Sequence, residues 1–225
     1  MESQNNYNQK PHERKRALLI GSSFSAVPLF FELKKRQFHV TVCGKIKSDP
    51  CHQYADESLF LDYSIKEELL NAVETGNYDF IIPSCNDFAY MSATWVNKYQ
   101  KFSGFDTLQT AEILHKKCKF REFTKTNNFS VPNMQKVIAG FVPDLQQLKP
   151  PLLVKPVDSF SGRGVTKLKS GHDALQAIKQ AVESSRDKQA LVEEFLEGSL
   201  HSHSAFIKNQ DIAFDFFVDE FCTIY

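Results

Sequence analysis

Between Ala17 and Tyr99 the chain runs as short apolar segments, each followed by a stretch with helical periodicity, and that rhythm admits few folds. The run ALLI ends at Ile20, Gly21-Ser22-Ser23 turns the chain, and Phe24, Val27, Phe31 and Leu33 recur at helical spacing. This is a βα unit. Pro28 fits only in the first turn of that helix, which places its cap near Ser23 or Ser25. Further strands are expected at Phe38 to Cys43, Ser58 to Leu61 and Tyr78 to Pro83. Ser64 and Glu67 stand at capping-box spacing ahead of a helix to about Glu74, which Gly76 ends, and Cys85-Asn86-Asp87 opens a helix through Trp95 and Tyr99. Such alternation implies a parallel sheet with helices on both faces, whose ligands approach loops at the carboxyl ends of strands. Gly21 to Phe24 and Ser84 to Asp87 are those loops here. Gly21 lacks a full G-x-G-x-x-G pattern, and helix capping competes with a ligand role for Asn86 and Asp87. Lys45 and Lys47 read as solvated.

Near Ser103 the rhythm changes. One helix is expected from about Thr110 to Asn127, carrying the basic run His115-Lys116-Lys117-Cys118-Lys119-Phe120-Arg121. Its cations cover two helix sides, as on a solvated helix, and no aromatic platform for nucleic acid is interleaved with them. Val131-Pro132 begins an extended return, with a strand at Met134 to Ile138. The segment LLVKPVDSFSGRGVTKL, from Leu152 to Leu168, then sets Lys155 at the end of an apolar strand, before a polar turn whose Gly162-Arg163-Gly164 lets Val165 to Lys169 fold back as a hairpin. Amides in such a turn can point at an anion, with the lysine charge nearby, although surface hairpins with a glycine turn and a lysine are common. A helix with Ala174, Leu175, Ile178, Ala181 and Val182 on one side follows. Ala190 to Phe195 is the next strand; Glu193 and Glu194 at its end face opposite ways, so only one can meet a ligand. Strands at Ser202 to Lys208 and Ile212 to Val218 close the chain around Asn209-Gln210-Asp211.

Composition narrows the function. The 225 residues carry 27 basic and 27 acidic side chains, a balance that argues against a general nucleic-acid or membrane binder. Five scattered cysteines without a C-x-x-C pair fit reduced thiols in a cytoplasmic setting and disfavour structural zinc. No apolar run approaches the roughly 18 to 20 residues of a membrane span, and residues 1–15, polar and without a hydrophobic signal core, read as a mobile tail. Twenty phenylalanines read as filling for a large core.

Four segments, taken in order, resemble the ATP-grasp superfamily in its carbamoyl phosphate synthetase and biotin carboxylase-like branch: the strand–helix lobe, the basic helix leading to FSVP, LLVKPVDSFSGRGV, and ALVEEFLEG. The resemblance implies an α/β fold: a Rossmann-like preATP-grasp domain over 16–105, then an ATP-grasp domain over 106–225 whose flap spans 150–190. It implies ATP or ADP as ligand. Lys117, fifteen residues before Pro132, and Lys155 match the family's phosphate-binding basic positions. Ser159, Ser161, Gly162, Arg163 and Gly164 match its mobile flap. Glu193 would accept from the adenine amino group, Glu194 and Leu196 would offer backbone groups to the adenine edge, and Phe195 or Leu196 would form an apolar wall.

Two departures qualify this. Where many members hold the ribose with a glutamate, Leu200 stands here, and His201 matches a histidine of biotin carboxylase-like members. The chain also stops at Tyr225, before the family's metal ligands, so no catalytic residue is assigned, Mg2+ is expected only for a complete enzyme, and Asp215, Asp219 and Glu220 are expected to be strand-edge residues. The pair His201 and His203 lacks a third ligand for a metal. The implied parent reaction activates an unknown carboxylate as an acyl phosphate for attack by an amine or similar nucleophile. The alternative is a non-catalytic nucleotide-binding or interaction module, and exposed phenylalanines on Ile212 to Val218 favour association between copies.

Overall fold

The computed structural model of the chain describes residues 14–141, 143–159, 162–170 and 174–221. Residues 1–13 of the expected tail, Ser161 and Cys222 lie outside them. Contacts divide the chain into two units, residues 1–115 and 116–225.

In the first unit β1 (Arg16–Ile20), β2 (His39–Cys43), β3 (Glu57–Leu59) and β4 (Phe80–Pro83) form a parallel sheet in the order β3-β2-β1-β4. Consecutive side chains of β1 enter opposite layers. Leu18 and Ile20 pack with Leu69, Val73, Ala89 and Val96 of α2 (Lys66–Gly76) and α3 (Asp87–Gln100), while Ala17 and Leu19 pack with Phe30 and Leu33 of α1 (Val27–Lys35). All four of these β1 residues are fully buried, as a strand covered by helices on both faces requires. The α/β class with a parallel sheet is therefore borne out. Strand order reverses at β1, so the loops after β1 and β4 flank the switch point.

Several local expectations are corrected. Pro28 does lie in the first turn of α1, but neither Ser23 nor Ser25 caps that helix; a short 3-10 turn at Phe24–Ala26 intervenes and leads directly into it. No Ser64 capping box forms: Ile65 precedes α2, and Ser64 Oγ donates to Asp62 Oδ1 at 2.7 Å. Asn77, in the left-handed conformation, ends α2, one residue beyond Gly76. The single basic helix is two: α4 (Leu108–His115) and α5 (Lys117–Thr126), separated at an extended Lys116. Each half is fixed within its own unit. His115 Nδ1 lies 3.0 Å from Asp87 Oδ1 and its ring stacks on Tyr90, whereas Cys118 of α5 packs with Met134, Val157 and Leu191.

The second unit holds an antiparallel sheet in the order β5-β8-β6-β7, from β5 (Met134–Ile138), β6 (Leu152–Pro156), β7 (Thr166–Leu168) and β8 (Gln189–Glu194). One face, through Val137, Leu152, Val154 and Val192, packs on α6 (Ala174–Ser184). Leu191 alternates to the other face, toward α5. A separate hairpin pairs β9 (Leu200–Lys208) with β10 (Asp211–Glu220). Phenylalanine fills less of these cores than its number suggests: Phe30 is its only representative among the buried described residues, Phe38, Phe80, Phe102 and Phe105 pack partly buried against the first-unit cores, and Phe206, Phe214, Phe216 and Phe217 are exposed on the hairpin. Small and β-branched side chains suit the narrow spaces between a sheet and its helices.

Candidate functional site

At the switch point of the first sheet the backbones meet closely. Gly21 adopts φ +120°, and a Cβ there would fall 2.0 Å from Ser84 Oγ, so only glycine fits. The surrounding polar groups satisfy one another: Ser22 Oγ donates to Asp49 Oδ2 at 2.6 Å, Asn86 Nδ2 donates to Ser84 Oγ at 2.9 Å, and Asn86 Oδ1 accepts from the Ala89 amide at 2.8 Å. Asn86 is thus a helix cap. Lys45 forms an ion pair with Asp62 at 2.7 Å, and this bond, with that from Ser64, holds the Asp62 carboxyl down at about 2. Burial pushes the Cys43 thiol up to about 12, with Asp62 adding to the shift, which leaves it unreactive at neutral pH.

Among the described residues the buried charge lies in the second unit. β8 turns Glu193 to the same face as Leu191, where its side chain is 4% exposed. Lys155, near the end of β6, donates to Glu193 Oε1, and Arg121 Nε of α5 donates to Oε2 at 3.2 Å. So dry a site for a carboxylate is tolerated because two cationic donors meet it. One helical turn before Arg121, Lys117 Nζ donates to the carbonyls of Val157, at 3.4 Å, and Ser159. The lysine so holds the backbone just after β6.

The turn between β6 and β7 depends on its glycines. Gly162 and Gly164 take φ +69° and +70°, and a Cβ on Gly164 would lie 2.9 Å from Pro156 Cγ. Arg163 sits between them, and the Val165 amide donates to Gly162 O at 3.3 Å.

Glu194 faces away from the cluster. Its carboxylate accepts from the Lys149 amide at 2.9 Å and Asn133 Nδ2 at 3.1 Å, which lowers its pKa. Its own amide donates to Asn133 O and that of Phe195 to Pro151 O, so neither amide is open to a base edge. Lys167 covers the Phe195 ring at 3.5 Å, and the Leu196 side chain is exposed. His201 belongs to the hairpin, where Nδ1 lies 2.7 Å from Asp219 Oδ1 and Nε2 2.7 Å from Ser199 Oγ. His203 pairs with Asp215 at 2.8 Å. Among the described residues no group of three metal-ligating side chains is ready to hold a cation.

Lys117, Lys155, Ser159 and Glu193 are therefore linked through α5 and the sheet. Arg121 is the member that sequence reasoning missed. The available signal was its four-residue spacing from Lys117, which puts both on one helix face.

The comparisons with known proteins agree with this architecture. The formate-dependent phosphoribosylglycinamide formyltransferase of Prochlorococcus marinus subsp. pastoris is 30% identical over 190 residues, 81% of this chain and 48% of the relative. The N5-carboxyaminoimidazole synthetase of Staphylococcus aureus, solved in complex with ADP, superposes with a TM-score of 0.68 at 17% identity, over 88% of this chain and 52% of that one. Phosphoribosylglycinamide synthetase from Anaerococcus prevotii gives 0.62 at 23%, over 90% and 51%. No protein-family model matches the chain. The likenesses bear out the resemblance to the ATP-grasp superfamily, and the fold is that of its biotin carboxylase-like branch. The chain spans about half the length of the curated relatives it matches. No helix of the described residues is long and apolar enough to cross a membrane.

Proposed function

We propose that this chain supplies the ATP-binding portion of an ATP-grasp ligase. The observation that carries the reading is the buried Glu193 held by Lys155, on the face of the sheet next to the lysine-tethered flap. Lys155 has three N–H donors and can keep Glu193 while giving another to a phosphate oxygen. Glu193 has about four acceptor sites with two engaged, leaving room for an adenine amino group. Lys117 would add charge at the phosphates, and the amides from Ser159 to Gly164, with Ser161 and Arg163, would close over them. Phe195, Leu196, Glu194 and His201 remain the proposed adenine and ribose surroundings.

In the parent reaction a carboxylate oxygen would attack the γ-phosphorus of ATP, releasing ADP; an amine or similar nucleophile would then attack the acyl carbon and release phosphate. The relatives' names, one formate-dependent and two making phosphoribosylglycinamide or a carboxyamino product, support this class without fixing the substrate. Magnesium would neutralise phosphate charge in such chemistry, but the described residues offer no cluster to hold it and the metal step is assigned to none of them.

Calorimetry with ATP on the wild type and on Lys155→Ala tests the reading. At least a tenfold weaker affinity in the variant is expected, about 1.4 kcal/mol; equal affinities would sink the role of Lys155.

A second reading, a non-catalytic module that binds a partner or its own copy, is favoured by the exposed hairpin aromatics, Phe217 being 70% exposed. Light scattering separates the two: concentration-dependent association without nucleotide affinity would favour the module.

A further inference from the structure

The Arg121 side chain also lines a cleft of about 660 Å³ that the proposed nucleotide site does not use. Its walls come from the end of α5, from the segment entering β5, and from the loop before β6; Phe129, Val131, Pro132 and Leu148 give an apolar surface. Lys125, one turn beyond Arg121 on α5, faces the same cleft. Its amino group has no described hydrogen-bond or ion-pair partner, and Arg121 engages Glu193 through Nε alone, leaving its terminal amino groups without described partners. Among the described residues of the lining Asp144 is the one carboxylate, and it is occupied by the Gln146 amide at 3.0 Å. Two cations thus stand against one acid.

The end of α5 does not consume that positive charge. Its last-turn carbonyls are already met: Phe123 O by the Asn127 amide and by Asn127 Nδ2 at 2.8 Å, Thr124 O by the Phe129 amide, and Lys125 O by the Asn128 amide. A concave surface with an apolar wall and two convergent cationic donors selects an anion with an apolar body.

We propose that this cleft binds a small organic anion, a carboxylate or phosphate ester with an apolar moiety, which shares Arg121 with Glu193. The anion sits between the Arg121 and Lys125 head groups, and its apolar part lies on Phe129, Val131 and Pro132. Because Arg121 serves both sites, filling the cleft alters the hold on Glu193. That coupling rests on the nucleotide reading above; the anion site does not.

Calorimetry on the whole chain without nucleotide, using benzoate, phenyl phosphate and neutral benzyl alcohol, tests the site. Both anions are expected to bind and the alcohol at least about tenfold more weakly, with Lys125→Met and Arg121→Met each weakening the anions by about tenfold, the loss of one charge-assisted bond. Tighter binding by one anion identifies the acid group. Lys125 is exposed, so its variant keeps the fold and the test stands even where Arg121→Met does not. Equal binding of the alcohol, no binding of either anion, or an unchanged affinity in Lys125→Met overturns the site. With the cleft saturated by benzoate, the ATP dissociation constant is expected to move at least about twofold. An unmoved constant overturns the sharing of Arg121, whereas absence of ATP binding beside intact benzoate binding counts against the nucleotide reading alone.

Discussion

Glu193→Gln removes the negative centre from between Lys155 and Arg121. The carboxylate is 4% exposed, Lys155 14% and Arg121 25%, so the two cations left behind are shielded yet can relax toward water. Breaking a buried pair costs roughly 3 to 5 kcal/mol, and the partial exposure of both cations puts this change at about 3. Lys155→Met keeps the apolar stem and leaves Glu193 with Arg121, so its cost is smaller, about 1.5 to 2 kcal/mol. The double variant should cost less than the sum by at least about 1 kcal/mol, because its second change removes a charge that the first has already stranded. Trp95 is the chain's one tryptophan and lies in the first unit, so its fluorescence does not report this region. Amide hydrogen exchange at Leu191 to Glu193 does, as these strand amides open only with the sheet. Additivity of the two changes to within about 0.3 to 0.5 kcal/mol would refute the claim that the three side chains act as a unit.

Gly164→Ala should destabilise by about 1 to 2 kcal/mol in urea unfolding, from left-handed strain and the contact with Pro156, and Gly162→Ala by less, since its Cβ would meet open space. The folded Asp62 carboxyl is depressed to about 2, so its stabilisation is fully present above the unfolded value near 3.8 and lost as pH falls through about 2. Asp62→Asn should accordingly cost about 0.5 to 1 kcal/mol at pH 7, after allowance for solvent screening, and only a small fraction of that at pH 2, in thermal melts across that range. Iodoacetamide should modify Cys85 in the folded chain and spare Cys43, Cys51 and Cys118, as peptide mapping before and after unfolding would show.

Much of the first sheet was legible because a strand covered on both faces is a continuous apolar run, as in ALLI and FIIP. The hairpin from Leu152 to Leu168 was legible because glycines with positive φ mark its turn. Other features depend on partners far along the chain. No proline or glycine marks the break at Lys116; it follows from His115 meeting Asp87 while Cys118 packs on Leu191. Spacing puts Arg121 on the helix face of Lys117, but the carboxylate it reaches lies 72 residues away, a pairing no local spacing encodes. The phenylalanine count misled because a ring enters the core only where the sheet and helix leave room, and hairpin β9–β10 presents its rings outward.

Photolabelling with an azido-adenine analogue of ATP, followed by peptide mapping, decides where a nucleotide binds. ATP-protectable label is expected on the peptide carrying Glu193 to Leu196 or on the flap, reduced in Lys155→Ala. Protectable label confined to the loops at Gly21 and Ser84, or label that ATP does not displace, would contradict that placement.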